Sequence, residues 1–414
     1  MRVNLNKTIR AMALALDLAE KSSLKDKDII EKVSNVNYSE HEFANHSRRV
    51  AYIAMSLSNF IDFNLDEKNA LYISALLHDI GASKGLKQSH NSDTFIEEHC
   101  ILGSSILEPF PMFNNMSNII LYHHENFNGS GPMGLKGNEI PLQSQLIRIA
   151  DLVELLYEED IHSFKQKNLI ISWVKSNTNK IFSKAIVDMF ISAASKDMFW
   201  FDMENISIMD NILDKVSPDL DIDLNLEQFE SIGHTFSNII DTKSNFTARH
   251  SREIAELAYK ISSYLNYSEE KCLKMKIAGL FHDIGKLAIP SSILDKNGPL
   301  DCDEFSIIKS HAYYTSIILD SLDSAKEIST WASNHHEKIN GTGYPKGLTS
   351  SELSEESRII AVCDIYQALT EDRPYRNGMS QEKAFEILDQ MVEENNLCPK
   401  AVSYLKAALT NQHN

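Results

Sequence analysis

His282 and Asp283 stand side by side in Ala278-Gly-Leu-Phe-His-Asp-Ile-Gly-Lys-Leu287, where an apolar run closes on an imidazole, a carboxylate, a glycine and a lysine. An imidazole beside a carboxylate can hold divalent metal, the carboxylate can bridge two ions, and the lysine adds a cation for an anionic substrate. His-Asp dipeptides also arise by chance, so the weight lies in a set of spacings that occurs twice. One set is His46, His78-Asp79, His99, His123-His124 and Asp151; the other is His250, His282-Asp283, His311, His335-His336 and Asp364. Counted to the first His of each pair, the intervals are 32, 21, 24 and 28 residues in one and 32, 29, 24 and 29 in the other. Ten of the 15 histidines lie in this shared frame, which makes it a duplication rather than a coincidence. The surroundings repeat too: HSRRVAYIA and HSREIAELA, ALLHDIG and GLFHDIG, HHENFNGSG and HHEKINGTG.

Five imidazoles and two carboxylates per half, spread along the chain, suit two five- or six-coordinate ions better than a structural zinc. Nitrogen and oxygen donors favour iron, manganese, nickel or cobalt and admit zinc. Two such ions roughly 3.5–4 Å apart can bridge a hydroxide, lower its pKa and clamp a phosphate oxygen, which is the chemistry of phosphoester hydrolysis.

Helices must carry these residues. Apolar residues recur at helical spacing over 8–20, 46–61, 66–78, 94–107, 116–123, 142–157 and 180–200, then over 227–241, 248–265, 270–282, 303–320, 325–335, 355–371 and 380–394. Strand alternation is nearly absent, so the fold class is all-α, with two tandem helical domains related by duplication. The Asp- and Pro-containing stretch 217–225 reads as a connector, giving domains at 1–215 and 227–414 with a linker over 216–226.

The chain has 414 residues, 43% of them hydrophobic, enough for two cores. Its formal charge of −18 argues against binding long nucleic acids through their phosphates, while a small anion needs only a few local cations. Cys100, Cys272, Cys302, Cys363 and Cys398 show no CxxC spacing, which excludes a zinc ribbon and a disulfide framework and suits a reducing cytosol. No run of 18 apolar residues predicts membrane insertion, so a soluble cytoplasmic protein is expected.

These residues resemble the HD-domain metal-dependent phosphohydrolases and, within them, the HD-GYP phosphodiesterases of cyclic dinucleotides. His282-Asp283 with Lys286 is similar to the HD signature, Gly343-Tyr344-Pro345 to the GYP triplet, and Asp364-Ile-Tyr-Gln-Ala-Leu-Thr-Glu-Asp-Arg-Pro-Tyr-Arg376 to the signature that follows. The resemblance covers about 227–405 as a complete domain and 8–200 as a degenerate copy. It implies metal ligands His250, His282, Asp283, His311, His335, His336 and Asp364, with Asp283 bridging two divalent ions, iron or manganese foremost. It assigns Lys286, Arg373 and Arg376 to substrate phosphates, and Gly343, Tyr344 and Pro345 to the loop over the site. The reaction implied is hydrolysis of cyclic di-GMP or 3′,3′-cyclic GMP-AMP to a linear dinucleotide and on to mononucleotides. A nucleotide phosphohydrolase, or a sensor that binds without cleaving, are the alternatives.

Departures from the family pattern are Asn340 and Gln367 where aspartates are usual, and Phe246 where a glutamate would add a third ion. In the first half Glu42 holds that place, beside the candidate second metal set His46, His78, Asp79, His99, His123, His124 and Asp151. That half has Ala82 in place of Lys286, Gly131-Pro132-Met133 in place of Gly-Tyr-Pro, and acids after Asp151 in place of the arginines. It is therefore expected to be a pseudo-enzyme that stabilises, dimerises or regulates its neighbour, and a homodimer of the chain is among the expected assemblies.

Overall fold

The computed structural model describes residues 1–23, 45–82, 93–110, 115–206, 210–243, 249–372 and 377–410. Glu42, Arg373, Arg376 and Phe246 lie outside them. Among the described residues the fold is all-α apart from one pair of two-residue strands, as the periodicity predicts. No described helix is long and apolar enough to cross a membrane.

The chain forms two units, the first Met12–Asp221 and the second Met1–Ala11 with Ile222–Asn414. The split falls within 216–226, the stretch expected to link the domains, and residues 1–11, expected in the first domain, group with the second unit. Strand β1 (Val3–Asn4) pairs antiparallel with β2 (Asp223–Leu224), and the Leu5 N–H donates to the Ile222 carbonyl at 2.8 Å. Val3, Leu5 and Leu224 are buried, so the stretch read as a linker contributes to a core. Strands this short leave almost no alternation to read.

In the first unit, α1 (Leu5–Ser23, which begins in the second unit) is followed by α2 (His46–Ser58), α3 (Leu65–Leu76), α4 (Asp93–Leu107), α5 (Met116–Leu121) and α6 (Leu142–Leu155). Then come α7 (Ser163–Ser176), α8 (Lys184–Ala194), α9 (Asp197–Asn205) and α10 (Asp210–Val216). The sequence predicts one helix over 180–200, whereas the chain breaks at Lys196, which is extended. The Trp200 indole donates to the Ala194 carbonyl at 2.7 Å, satisfying an acceptor left open at the end of α8. Helix α2 packs on α3 and α6, and α4 on α5.

The second unit repeats this order in α11 (Leu226–Lys243), α12 (His250–Tyr264), α13 (Glu269–Phe281), α14 (Ser291–Leu294), α15 (Cys302–Asp320), α16 (Lys326–Ser333) and α17 (Glu355–Thr370). It closes with α18 (Gln381–Glu393) and α19 (Pro399–Thr410). Ser268 caps α13 by accepting from Lys271, while Asp301 and Glu304 form a capping box on α15, so the sequence sets where both site-bearing helices begin. Phe229, Phe236 and Phe281 are fully buried where α11 packs on α13.

Candidate metal centre

The metal frame of the second unit converges from five segments. His250 opens α12, His282 and Asp283 follow the end of α13, His311 lies within α15, His335 and His336 follow α16, and Asp364 lies within α17. Gly285 permits the closest approach among them, because a Cβ there would collide with the His311 carbonyl of α15; Gly81 stands in the same relation to His99.

Three of these imidazoles are oriented by their own helices. The Nδ1–H of His282 donates to the Gly279 carbonyl at 2.8 Å, that of His311 to Ile308 at 2.6 Å and that of His335 to Ala332 at 2.6 Å. A carbonyl can only accept, so each Nε2 keeps its lone pair for the interior. Nε2 of His282 lies 3.1 Å from Oδ2 of Asp283, and those of His311 and His335 lie 3.5 and 3.7 Å from Oδ1. Asp283 thus stands between two groups of donors, His250 with His282 and His311 with His335 and His336, each group with its ligand atoms within 4.8 Å of one another. Oδ1 of Asp283 and Nε2 of His282 are buried without a hydrogen-bond partner, an arrangement that a cation would satisfy. On the other side, Nε2 of His250 is 3.2 Å from Oδ1 of Asp364, and Nδ1 of His336 is 3.9 Å from Oδ2.

Protonation suits metal binding at His311 and His335, whereas at His250 burial works against the charge but the bonds to Asp364 and Glu371 push the imidazole up to about 9. Burial, reinforced by His336, holds His311 down to about 3, and burial holds His335 well below the ordinary histidine range, so both imidazoles are neutral at neutral pH, the form that could bind a metal. Burial would raise Asp283, but His282 and Lys286 outweigh it and hold the carboxyl well below the usual carboxylate range. Nζ of Lys286 lies 2.5 Å from Oδ2 of Asp283. Burial works against its charge, yet Asp283 and Asp364 keep it above the ordinary lysine value.

The GYP triplet forms a wall of the site. The Tyr344 ring packs on His336 at a tilt of 35° with centroids 4.7 Å apart, and the Tyr344 backbone N–H donates to the His336 carbonyl at 3.2 Å. Sequence reasoning missed Glu337, which is buried and accepts from the Lys346 and Leu348 N–H groups at 2.7 and 2.9 Å, holding the loop in place. The glutamate after the paired histidines in both halves was the signal, since Glu125 accepts from Met133 at 2.6 Å. It also missed Glu371, which accepts from Nδ1 of His250 at 3.2 Å. Arg249, Arg252 and Lys260 line a groove of about 330 Å³ along α12 together with Glu253, Glu256 and Gln367, so its charge is mixed.

The first unit brings its own copy together. His46, His78 and Asp79 form one group, and Asp79, His99, His123 and His124 another. Nδ1–H of His78 donates to Ala75 at 3.0 Å and that of His123 to Ile120 at 2.6 Å, the same orienting bonds as in the second unit. Nε2 of His46 lies 3.4 Å from Asp79 and 3.7 Å from Asp151. The acids after Asp151 do not all form an outward rim. Glu154 is fully buried against His46 and Arg49, and Glu159 pairs with Arg49 at 2.6 Å.

The HD domain profile matches residues 34–170 and 234–397, one match per unit. The chain is 30% identical over 357 residues to 3′3′-cGAMP-specific phosphodiesterase 1 of Vibrio cholerae, covering 83% of this chain and 82% of that one. It is 29% identical over 365 residues to 3′3′-cGAMP-specific phosphodiesterase 3 of the same organism, covering 87% and 78%. A cyclic di-GMP phosphodiesterase of Thermotoga maritima matches at 35% over 150 residues, 35% of this chain and 40% of the other. Among solved structures, a cyclic GMP-AMP-specific phosphodiesterase of V. cholerae superposes with a TM-score of 0.67 at 23% identity, over 100% of this chain and 99% of its own, a likeness of fold. The chain belongs to the HD domain family of divalent-metal-binding hydrolases, within its HD-GYP branch.

Proposed function

We propose that the second unit hydrolyses a phosphodiester of a cyclic dinucleotide, with His250, His282, Asp283, His311, His335, His336 and Asp364 holding two divalent ions. The observation that carries this is Asp283, buried between two groups of imidazoles with the Lys286 ammonium 2.5 Å away. The nitrogen and oxygen donor set fits iron or manganese, and nickel, cobalt or zinc can occupy the same ligands. Bound ions supply Lewis acidity and an activated water. The chain's own groups do the rest. Lys286 offers a cation to a non-bridging phosphate oxygen, Tyr344 closes one side of the site, and Glu337 fixes the loop that carries it. Hydrolysis forms a bond from the water oxygen to phosphorus and breaks the bond from phosphorus to one ribose oxygen, which takes up a proton. The product is a linear dinucleotide, and a second cleavage gives mononucleotides. Arg373 and Arg376 are proposed to meet the second phosphate.

Substrate preference is proposed for 3′,3′-cyclic GMP-AMP over cyclic di-GMP, because the relatives that match both units carry the former specificity in their names, while the cyclic di-GMP relative matches about a third of the chain. The first unit, without a lysine at position 82 or a Gly-Tyr-Pro triplet, is proposed to be non-catalytic.

A hydrolysis panel of 3′,3′-cyclic GMP-AMP, cyclic di-GMP and cyclic di-AMP with manganese- or iron-loaded full-length protein tests the reading. Linear product from the first substrate is expected, abolished in Asp283→Ala and retained in Asp79→Ala. Tight binding of a dinucleotide with no product over hours would instead identify a sensor.

A further inference from the structure

In the first unit a guanidinium stands where the second unit leaves room for an ion. Arg148 lies three residues before Asp151 on α6, and its counterpart before Asp364 on α17 is Ala361. Its Nη1 is 2.9 Å from Nδ1 of His124 and 3.7 Å from Oδ2 of Asp151, and Nη2 donates to Oδ1 of Asn126 at 3.3 Å. In the second unit the equivalent atoms, Nδ1 of His336 and Oδ2 of Asp364, face each other across 3.9 Å with Ala361 at the arginine's place, while Arg358, one turn earlier on the helix, donates to the Ser350 and Leu353 carbonyls. Arg148 is buried, so this is a built position rather than a surface side chain resting on the site.

The bond decides what His124 can do. A guanidinium has no acceptor and always donates, so Nδ1 of His124 spends its lone pair on Arg148 and the ring proton sits on Nε2. A histidine in that state has no lone pair left for a metal. The adjacent charge compounds the loss, since a second divalent ion would meet a fixed cation in a buried setting. The other end of the cluster keeps its donors together. Nε2 of His46 and of His78 converge 3.1 Å apart beside Asp79, with Asp151 reached from His46.

We infer that the first unit is a single-ion site. One divalent ion is held by His46, His78, Asp79 and Asp151, and Arg148 replaces the second ion of the duplicated frame, removing His124 from the ligand set. The donors suit the same first-row ions as the second unit, and the inference concerns ion number, whichever dinucleotide the second unit cleaves. With one ion and Ala82 in place of the lysine, this copy keeps a metal core without the paired ions of a hydrolytic centre.

Metal content of the full chain, reconstituted with manganese and freed of loosely bound ion, tests this directly. Wild type is expected to hold three ions per chain, and His282→Ala/Asp283→Ala, which dismantles the second unit's site, one. In that background the manganese resonance is expected to be the six-line signal of an isolated ion. Adding Arg148→Ala, the residue type found at position 361, raises the count to two with an exchange-coupled signal. Adding His124→Ala instead leaves one ion, and adding His78→Ala leaves none. Two ions, or none, in the His282/Asp283 background would overturn the inference, as would loss of the ion on His124→Ala.

Discussion

Oε2 of Glu154 lies 2.5 Å from Nδ1 of His46, whereas Gln367, at the same place three residues after the last aspartate, turns to Glu253 and leaves Nδ1 of His250 to Glu371 at 3.2 Å. The exchange is paired. Arg49 faces Glu154 in the first unit, and Glu253 faces Gln367 in the second, so charges at both positions changed together. The carboxylate that orients the opening histidine has moved four residues on, to the extended residue just past the end of α17, and its function has moved with it.

Glu371→Gln is therefore expected to weaken metal binding by about 10- to 100-fold, the usual effect of losing a carboxylate behind a ligating histidine. A chelator-competition titration measures it. Gln367→Ala, at the position the family signature marks, should change affinity far less; equal losses would contradict the assignment.

Lys286→Met should lower kcat by about 100-fold, as loss of one electrostatic stabiliser does, with ions per chain unchanged. Parallel rate and metal-content measurements check it. A variant that loses metal in proportion to activity would make Lys286 a support for Asp283 alone.

Burial pushes the Asp241 carboxyl up to about 6, against the bonds it accepts from Ser251. The folded chain then holds a proton more tightly than the unfolded chain, whose aspartate titrates near 3.8. Stability contributed by the protonated acid is fully present below that value and lost as pH rises through about 6. Two pKa units correspond to about 3 kcal/mol. In metal-free protein, Asp241→Asn is expected to raise stability at pH 7.5 by up to that amount and to flatten the decline between pH 4 and 6. Urea unfolding across that range measures both, and an unchanged slope would count against it.

Gly285→Ala drives a methyl group into the His311 carbonyl and should destabilise the second unit by about 1–3 kcal/mol while displacing His311. Thermal melting with metal content distinguishes this from a simple loss of ligand, because both should fall together.

The duplicated frame was legible in the sequence because ligand chemistry tolerates few substitutes, so His282, Asp283, Asp364 and their copies stand out by type and interval alone. Helix positions were legible for the same kind of reason, since an apolar face must recur every 3.6 residues wherever it is buried. The pairing of β1 with β2 was not legible because a two-residue strand carries no periodic signal, and β1 finds β2 only through a contact more than two hundred residues away in the chain.

The sequence by itself determined that this is an all-α HD-type chain with two copies of a histidine–aspartate frame and a single copy with lysine after the His-Asp pair. Only the tertiary structure decided how each histidine is used. Whether Nδ1 meets a helix carbonyl, as in His335, a carboxylate, as in His46, or a guanidinium, as in His124, depends on which helix lies opposite. Arg148 reads in sequence as one more basic residue on a helix. It becomes a substitute for an ion because α6 carries it to within 2.9 Å of His124, where a fixed positive charge and a metal cation compete for the same lone pair.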